Sequence, residues 1–209
     1  HSIHYGHDYE KPLGSTLLAK SVVKRVIPEL LGEGCSLLEF SLLGVVLNGT
    51  WAATLGEQVV CSAVLLRLFL FQCNLRGPLP ELRLPALQTL DLSFNQLTGG
   101  LEPLAACTSL QQISLFQNQL TGGLEPLRGC TALRCLSLHN NKLTGGFEPL
   151  RGCKALRGLT LFNNKLTGDL KPLWDCASLR MLQLKQNPLI PTYEDRAHFE
   201  EQCSSYLDI

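Results

Sequence analysis

Leucine recurs in this chain at a fixed interval of 23 residues, and this interval constrains the fold more than any other feature. Five units share the pattern L-x-x-L-x-L-x-x-N-x-L-T-G-G-L-E-P-L-x-x-C-x-x in whole or in part, most completely in residues 110–132 and 133–155. Such a period predicts a stack of similar units, each of which buries its apolar face only against its neighbours. The units begin at Leu87, Leu110, Leu133, Leu156 and Leu179.

Each unit begins with residues typical of one short strand. Leu90 and Leu92 alternate with Asp91, so we expect the leucines to face the core and the aspartate to face solvent. An asparagine follows every strand, and a buried amide there can bind free backbone groups of its own and the adjacent turn. These asparagines are Asn95, Asn118, Asn141, Asn164 and Asn187.

The second half of each unit predicts a return path that closes the coil. Thr98-Gly99-Gly100 and its copies favour backbone with positive φ, since glycine has no Cβ to obstruct it. Leu101 and Leu104 then supply a second row of inward side chains. Stacking parallel strands at about 4.8 Å intervals would join these rows into one continuous core.

The repeat resembles the leucine-rich-repeat family over residues 65–189, where a first unit from Leu65 has Cys73 in place of the asparagine. The resemblance implies an α/β solenoid with a parallel, concave sheet and capped ends. The segment L-T-G-G-L-E-P-L is partly similar to the plant-type subclass, whose 24-residue repeats read L-x-G-x-I-P-x-x-L. Only residues 75–80 fit that template closely, so we carry over the solenoid and leave the subclass's second sheet open.

We expect one continuous solenoid domain with an N-terminal cap at 1–64, repeats at 65–189 and a C-terminal cap at 190–209. The cap at 1–64 should contain a helix from Ser15 to about Leu31, bent or split at Pro28. Residues 37–64 allow two interpretations. Val45 and Leu47 lie 23 residues before Leu68 and Leu70, as in a degenerate repeat, whereas 45–52 also fits a hairpin.

The C-terminal segment resembles the cap of intracellular leucine-rich-repeat proteins. The resemblance rests on Asn187-Pro188-Leu189 and on the residues that follow it. We therefore expect these residues to cover the last apolar rung. They are Tyr193, Arg196, Phe199, Leu207 and Asp208.

Charge and hydropathy exclude two classes of partner. The chain has 18 basic and 18 acidic residues, so it has no general field that would attract nucleic acid or an anionic membrane surface. Its longest apolar stretch, about 37–55, is interrupted by Glu39, Asn48 and Gly49 and is too short for a spanning helix. We expect no nucleic-acid partner and no membrane insertion.

Nine cysteines raise the question of compartment, and four follow the repeat: Cys107, Cys130, Cys153 and Cys176. We expect these four to be buried thiols in one core column. Cys35 and Cys61 do not resemble the paired-cysteine cap of extracellular plant-type solenoids. An intracellular location, cytoplasmic or organellar, is therefore favoured. An extracellular one stays open, because residues 48–50 form a glycosylation sequon and the oxidation state of Cys35 and Cys61 is undetermined.

No constellation for catalysis, metal or cofactor emerges from the sequence. Cys135 and His139 would lie on one strand, where four residues separate them by roughly 13 Å, too far for a catalytic dyad. His1, His4 and His7 sit at the chain end, where a metal role is less common than a terminal remnant. The glycine pairs follow every turn, so they do not indicate a phosphate loop. We expect no enzyme, no metal and no cofactor.

The outward strand positions carry the predicted binding site. One position gives the column Phe71, Ser93, Phe116, His139, Phe162 and Lys185, with Phe69 beside Phe71. A second column of Arg134, Arg157 and Arg180 follows Gln88 and Gln111 and suits an acidic or phosphorylated partner.

Aligned exposed rings are typical of interface hot spots. The sequence thus predicts a non-catalytic scaffold that binds a protein or peptide on its concave face, alone or as a subunit of a larger assembly. Two alternatives stay open. The rings cover only one another or the cap, or the chain is an extracellular recognition or enzyme-inhibitor module.

Overall fold

A computed structural model of the chain describes residues 39–43, 49–50, 63–203 and 206–209. The helix predicted for 15–31, the three N-terminal histidines, the asparagine of the sequon, Cys35 and Cys61 lie outside these residues. What the sequence predicts for them therefore stays a prediction.

Eight parallel strands, numbered in chain order, form the main sheet and confirm the predicted solenoid. Leu90 pairs with Leu68 on one side and with Ile113 on the other, and all three side chains are buried. Outward neighbours alternate with these leucines, as a period of two requires. The strands are β1 (Glu39–Leu43), β3 (Arg67–Phe71), β5 (Thr89–Asp91), β7 (Gln112–Ser114), β8 (Cys135–Ser137), β9 (Gly158–Thr160), β10 (Met181–Gln183) and β11 (Tyr206–Asp208).

A second, smaller parallel sheet joins β2 (Gly49–Thr50), β4 (Leu75–Pro78) and β6 (Gln96–Thr98). Its middle strand is the segment that fits the plant-type template, so the second sheet that the sequence left open does form there. Beyond β6 the same backbone bonding continues as isolated bonds. The amide of Thr121 donates to Gly99 O and that of Thr144 to Gly122 O, both at 2.8 Å.

Short helices carry the chain back on the opposite side of each later rung. Three 3-10 helices span Glu102–Leu104, Glu125–Leu127 and Glu148–Leu150, and the α-helix α1 spans Lys171–Trp174. Each has a proline in its first turn, where the missing amide hydrogen is tolerated. Their leucines are buried, so the predicted second inward row is confirmed.

The periodic cysteines form the predicted core column. Cys107, Cys130, Cys153 and Cys176 are fully buried free thiols. Successive members touch through the backbone, since Cys153 Sγ lies 3.5 Å from Cys130 O and Cys130 Sγ 3.6 Å from Cys107 O. Burial raises the pKa of Cys130 and of Cys153 to about 11, so both thiols stay protonated and unreactive near neutral pH.

The asparagines form the predicted ladder between turns. Asn95 Nδ2 donates to Leu92 O of its own rung at 2.9 Å and to Leu70 O of the preceding rung at 2.8 Å. Its Oδ1 accepts from the amide of Leu75 at 2.9 Å. The copies repeat this arrangement, as Asn141 does with Leu115 O and the amide of Leu120, both at 2.9 Å.

The degenerate repeat exists in residues 39–50, but the predicted register is wrong. Leu42 of β1 pairs with Leu70, whereas the 23-residue spacing assigns that partner to Leu47. Gly49 then pairs in parallel with Leu75, which is the arrangement of a repeat and not of a hairpin. The loop between the two strands is therefore longer here than in the later units, and a search at constant period misplaces the strand.

A helix and a final strand cover the C-terminal rung. The helix α2 (Tyr193–Gln202) begins with a capping box between Thr192 and Asp195, and Phe199 is fully buried in the core. Trp174 Nε1 donates to Asp195 Oδ1 at 3.1 Å and so ties α1 to α2. Tyr193, expected to help in the cover, is 87% exposed and does not. In the part of the chain described, no helix is both long and apolar enough to cross a bilayer.

Candidate functional site

Five rings form a continuous row on the outward side of the main sheet, where its strands end. We call Phe71, Phe94, Phe116, His139 and Phe162 the aromatic ladder. Ring centroids are 5.1 Å apart for the first pair and 5.2 Å for the second, both edge to face. The last two pairs stack at 4.4 Å with interplanar angles of 11° and 21°.

The parallel rungs produce this row because equal positions of adjacent strands lie within ring-stacking distance. The backbone of the ladder is bonded from rung to rung, with the amide of Phe94 donating to Phe116 O and that of Gln117 to His139 O, both at 3.1 Å. The rings are therefore held on a rigid sheet. They shield one another in part, and Phe116, His139 and Phe162 are half-buried.

Phe94 is the site residue that the sequence reasoning missed. The prediction placed Ser93 in this column, but Ser93 is fully buried and its hydroxyl donates to the carboxylate of Asp91. Phe94 fills the gap from the next position and is 42% exposed. The signal was the order Ser93-Phe94, which reverses the Phe116-Gln117 order of the following unit.

The position of Phe94 requires a backbone conformation that is costly for a bulky side chain. Its φ is +56°, in the left-handed region, and the equivalent residues Gln117, Asn140 and Asn163 have nearly the same φ. Asparagine tolerates this region far better than phenylalanine does. A strained, exposed phenylalanine is thus kept where the ladder would otherwise be broken.

His139 is the polar member of the ladder. It is sandwiched between Phe116 and Phe162, and its Nδ1 is buried with no hydrogen-bond partner in the described part of the chain. Desolvation in this apolar sandwich lowers the pKa of His139 from 6.5 to about 4. The imidazole is therefore neutral at physiological pH.

The two ends of the predicted column differ from its middle. Phe69 is half-buried and pairs in register with Asp91, so it belongs to the neighbouring column of small polar residues, as predicted. Lys185 follows Phe162 by one rung and forms an ion pair with Asp208 of β11. The charged end of the column is therefore tied to the final strand.

The arginine column lies where the strands begin. Arg134, Arg157 and Arg180 are exposed, and their backbones are consecutive, with Arg157 N at 2.7 Å from Arg134 O and Arg180 N at 2.8 Å from Arg157 O. Arg180 Nη1 is anchored on Leu179 O at 2.8 Å. The guanidinium groups of Arg134 and Arg157 have neither an ion pair nor a hydrogen bond with the described residues.

Comparisons with known proteins agree with this architecture. A family model described as leucine-rich repeats in two copies matches residues 85–129 and again 108–152. The structure is similar to the plant peptide hormone receptor RGFR1 solved with RGF2, at 30% identity over 74% of this chain and a TM-score of 0.68. The chain is a leucine-rich-repeat protein. None of the curated protein sequences compared with it matches.

Two further solved structures resemble this leucine-rich-repeat protein. The Arabidopsis thaliana receptor kinase HAESA, solved with the peptide hormone IDA and the co-receptor SERK1, is 32% identical over 74% of this chain, with a TM-score of 0.64. Internalin C2 of Listeria monocytogenes is 27% identical over 71% of this chain and 62% of its own, with a TM-score of 0.58. The chain spans 25% of RGFR1 and 30% of HAESA.

The described part of this leucine-rich-repeat protein contains no group of histidine, cysteine and acidic side chains that could hold a metal. Cys135 lies at the start of β8 and His139 two residues beyond its end. Extended backbone of that length separates them by roughly 13 Å. The arrangement therefore offers surfaces for recognition, and leucine-rich-repeat proteins are typically binding modules without catalytic activity.

Proposed function

We propose that this chain is a non-catalytic module that binds a protein or peptide through the aromatic ladder on its concave face. The observation that carries the proposal is the unbroken row of five rings, completed by a strained Phe94 that is 42% exposed. Aromatic side chains held on a rigid sheet lose little conformational entropy on binding and bury a large apolar area. Such a row is well suited to anchor a partner.

Mutual shielding explains only part of the row. Rings that served only to cover one another would be expected at ordinary backbone conformations. Phe94 instead occupies a left-handed position where its neighbours have glutamine or asparagine. Strain of this kind is typical of functional sites. We therefore favour binding over a purely structural role.

We also propose an intracellular location and a role as a scaffold, alone or within a larger assembly. The buried thiols at Cys107, Cys130, Cys153, Cys176 and Cys203 support a reducing compartment, because they are free and periodic. The C-terminal helix and strand are consistent with the intracellular type of cap. The absence of an enzymatic activity belongs to the same proposal.

A second candidate function is an extracellular recognition or enzyme-inhibitor module. The similarity to RGFR1 and HAESA favours it, since both structures were solved with peptide hormones. Thiol counting in the purified, unreduced protein separates the two candidates. Nine reactive thiols after denaturation would support the intracellular proposal, whereas oxidised Cys35 and Cys61 would support the extracellular one.

The binding proposal is tested by affinity capture with the full chain, followed by mass spectrometry and by titration of the captured protein. We expect the double substitution Phe116→Ala and Phe162→Ala to weaken binding by about tenfold or more. Arg128→Ala, on the convex side, serves as the matched control and should bind normally. Circular dichroism must show that the double variant is folded. Unchanged binding by this folded variant would rule out the ladder as the site.

A further inference from the structure

We propose that the partner of the aromatic ladder is an extended peptide segment in which apolar side chains alternate with anionic ones. This inference rests on the proposed function and adds the chemistry of the partner to it. It is carried by the unmatched charge of the arginine column and by the shape of the surface between that column and the ladder.

The described strands of the main sheet have three carboxylates, and all three are engaged. Glu39 pairs with Arg67 at 3.2 Å, and Asp208 pairs with Lys185. The carboxylate of Asp91 accepts from Ser93, including its amide at 2.9 Å. No acidic side chain of these strands is therefore left to neutralise the arginine column.

The arginine column differs in this respect from the arginine of the convex side. Arg151 is held by Glu148 at 2.8 Å and by Asp175 at 3.0 Å. Arg134 and Arg157 are exposed, and within the described ranges their guanidinium groups have no carboxylate within ion-pair distance. Guanidinium groups form their strongest hydrogen bonds with carboxylate or phosphate oxygens. Two adjacent unpaired arginines on one rim thus select for anionic side chains.

The surface between the two columns is a trough with a floor of small side chains. Cys135 and Ser137 of β8 lie between Arg134 and His139, and Gly158 and Thr160 occupy the same positions on β9. A strand position and one five residues later are roughly 16 Å apart in extended backbone. That width accommodates one extended chain running along the solenoid axis across the strands.

An extended peptide in this trough would present its side chains alternately to opposite sides. One set would reach the rings and the other the guanidinium groups. The three arginines span two rung intervals, or about 9.6 Å, which corresponds to roughly four peptide residues at about 3.3 Å each. We therefore expect a short alternating motif with two anionic side chains two residues apart.

The test uses a phage-displayed library of random twelve-residue peptides, selected at low salt on the full chain. Enriched peptides are synthesised with a fluorescein label and titrated by fluorescence anisotropy. The variants are the doubles Arg134→Glu with Arg157→Glu, and Phe116→Ala with Phe162→Ala. Arg128→Glu on the convex side is the charge control. Copies of each peptide carry Asn and Gln in place of the acids, or phosphoserine.

We expect selected peptides to alternate apolar with acidic residues and to lose about tenfold or more in affinity with the arginine double variant. The amide copies should lose a similar factor, and Arg128→Glu should bind normally. Retained or tighter binding of the phosphoserine copies supports the same anionic preference and identifies phosphate as an accepted form. Binding that needs the rings but ignores the arginine substitutions overturns this inference and leaves the proposed function standing. Insensitivity to both double variants, or no enrichment above an unrelated protein, counts against both.

Discussion

At the scale of single residues, the two glycines of each turn have different physical roles. Gly122 has a φ of +78°, which an L side chain rarely adopts. Gly123 has no positive φ, but a Cβ there would lie 2.0 Å from the carboxylate of Glu125, which folds over it. The first glycine is needed by the backbone, whereas the second only makes room for the end of a flexible side chain.

This difference predicts the outcome of a matched pair of substitutions. Gly122→Ala should lower the free energy of unfolding by about 1 to 2 kcal/mol, because alanine is forced into the left-handed region. Gly123→Ala should change it by less than about 0.5 kcal/mol, since Glu125 can swing into solvent. Urea denaturation monitored by circular dichroism measures both. Equal losses in the two variants would refute the assignment.

Phe94 provides a second prediction at this scale. Phe94→Asn removes two ring contacts, each worth about 0.5 to 1.5 kcal/mol at most, but relieves left-handed strain of about 1 kcal/mol. Phe116→Asn also removes two ring contacts, yet no strain is relieved there. We expect Phe94→Asn to be the milder of the two in thermal denaturation, and a larger loss of stability at Phe94 would contradict the strain argument.

At the scale of the element, the ladder couples stability to pH through His139. The folded protein lowers the pKa of this group from 6.5 to about 4, so between these values the unfolded chain binds the proton more tightly. The contribution of His139 to stability is therefore present above pH 6.5 and is lost as the pH falls to about 4.

The corresponding experiment compares the wild-type chain with His139→Phe by denaturant titration at pH 7, 5.5 and 4.5. The wild-type protein should lose stability relative to the variant over this range, because the variant cannot be protonated in the ladder. Carboxylates that titrate in the same range are common to both proteins and cancel in the difference. Parallel pH profiles would show that His139 is not desolvated.

The elements show how far the sequence can be read. The strands, the asparagine ladder and the cysteine column follow from side chains that recur at one period, and all were predicted. The register of β1 was not, because Leu42 lies 28 residues before its partner Leu70 and a fixed period assigns that place to Leu47. Phe94 was missed for a related reason. A repeat alignment assigns one outward position per rung and cannot tell which of two adjacent side chains reaches the row.

At the scale of the whole molecule, stacking of nearly identical rungs determines what the site can be. Each rung contacts only its neighbours, so equal positions form continuous columns from one end of the sheet to the other. The columns of leucine, asparagine and cysteine stabilise the coil. The rings and arginines lie outside these columns and are free to define a partner, and the sequence therefore predicts the fold far better than the identity of that partner.

The central claim is that the ladder face, and not the convex side, binds the partner. The most direct measurement is titration of the isotope-labelled chain with the captured protein or a selected peptide, followed by backbone amide chemical shifts. We expect the largest changes at residues 114–117, 137–140 and 160–163, where the strands lead into the ladder. Changes confined to the convex helices at Glu125–Leu127 and Glu148–Leu150 would contradict the account.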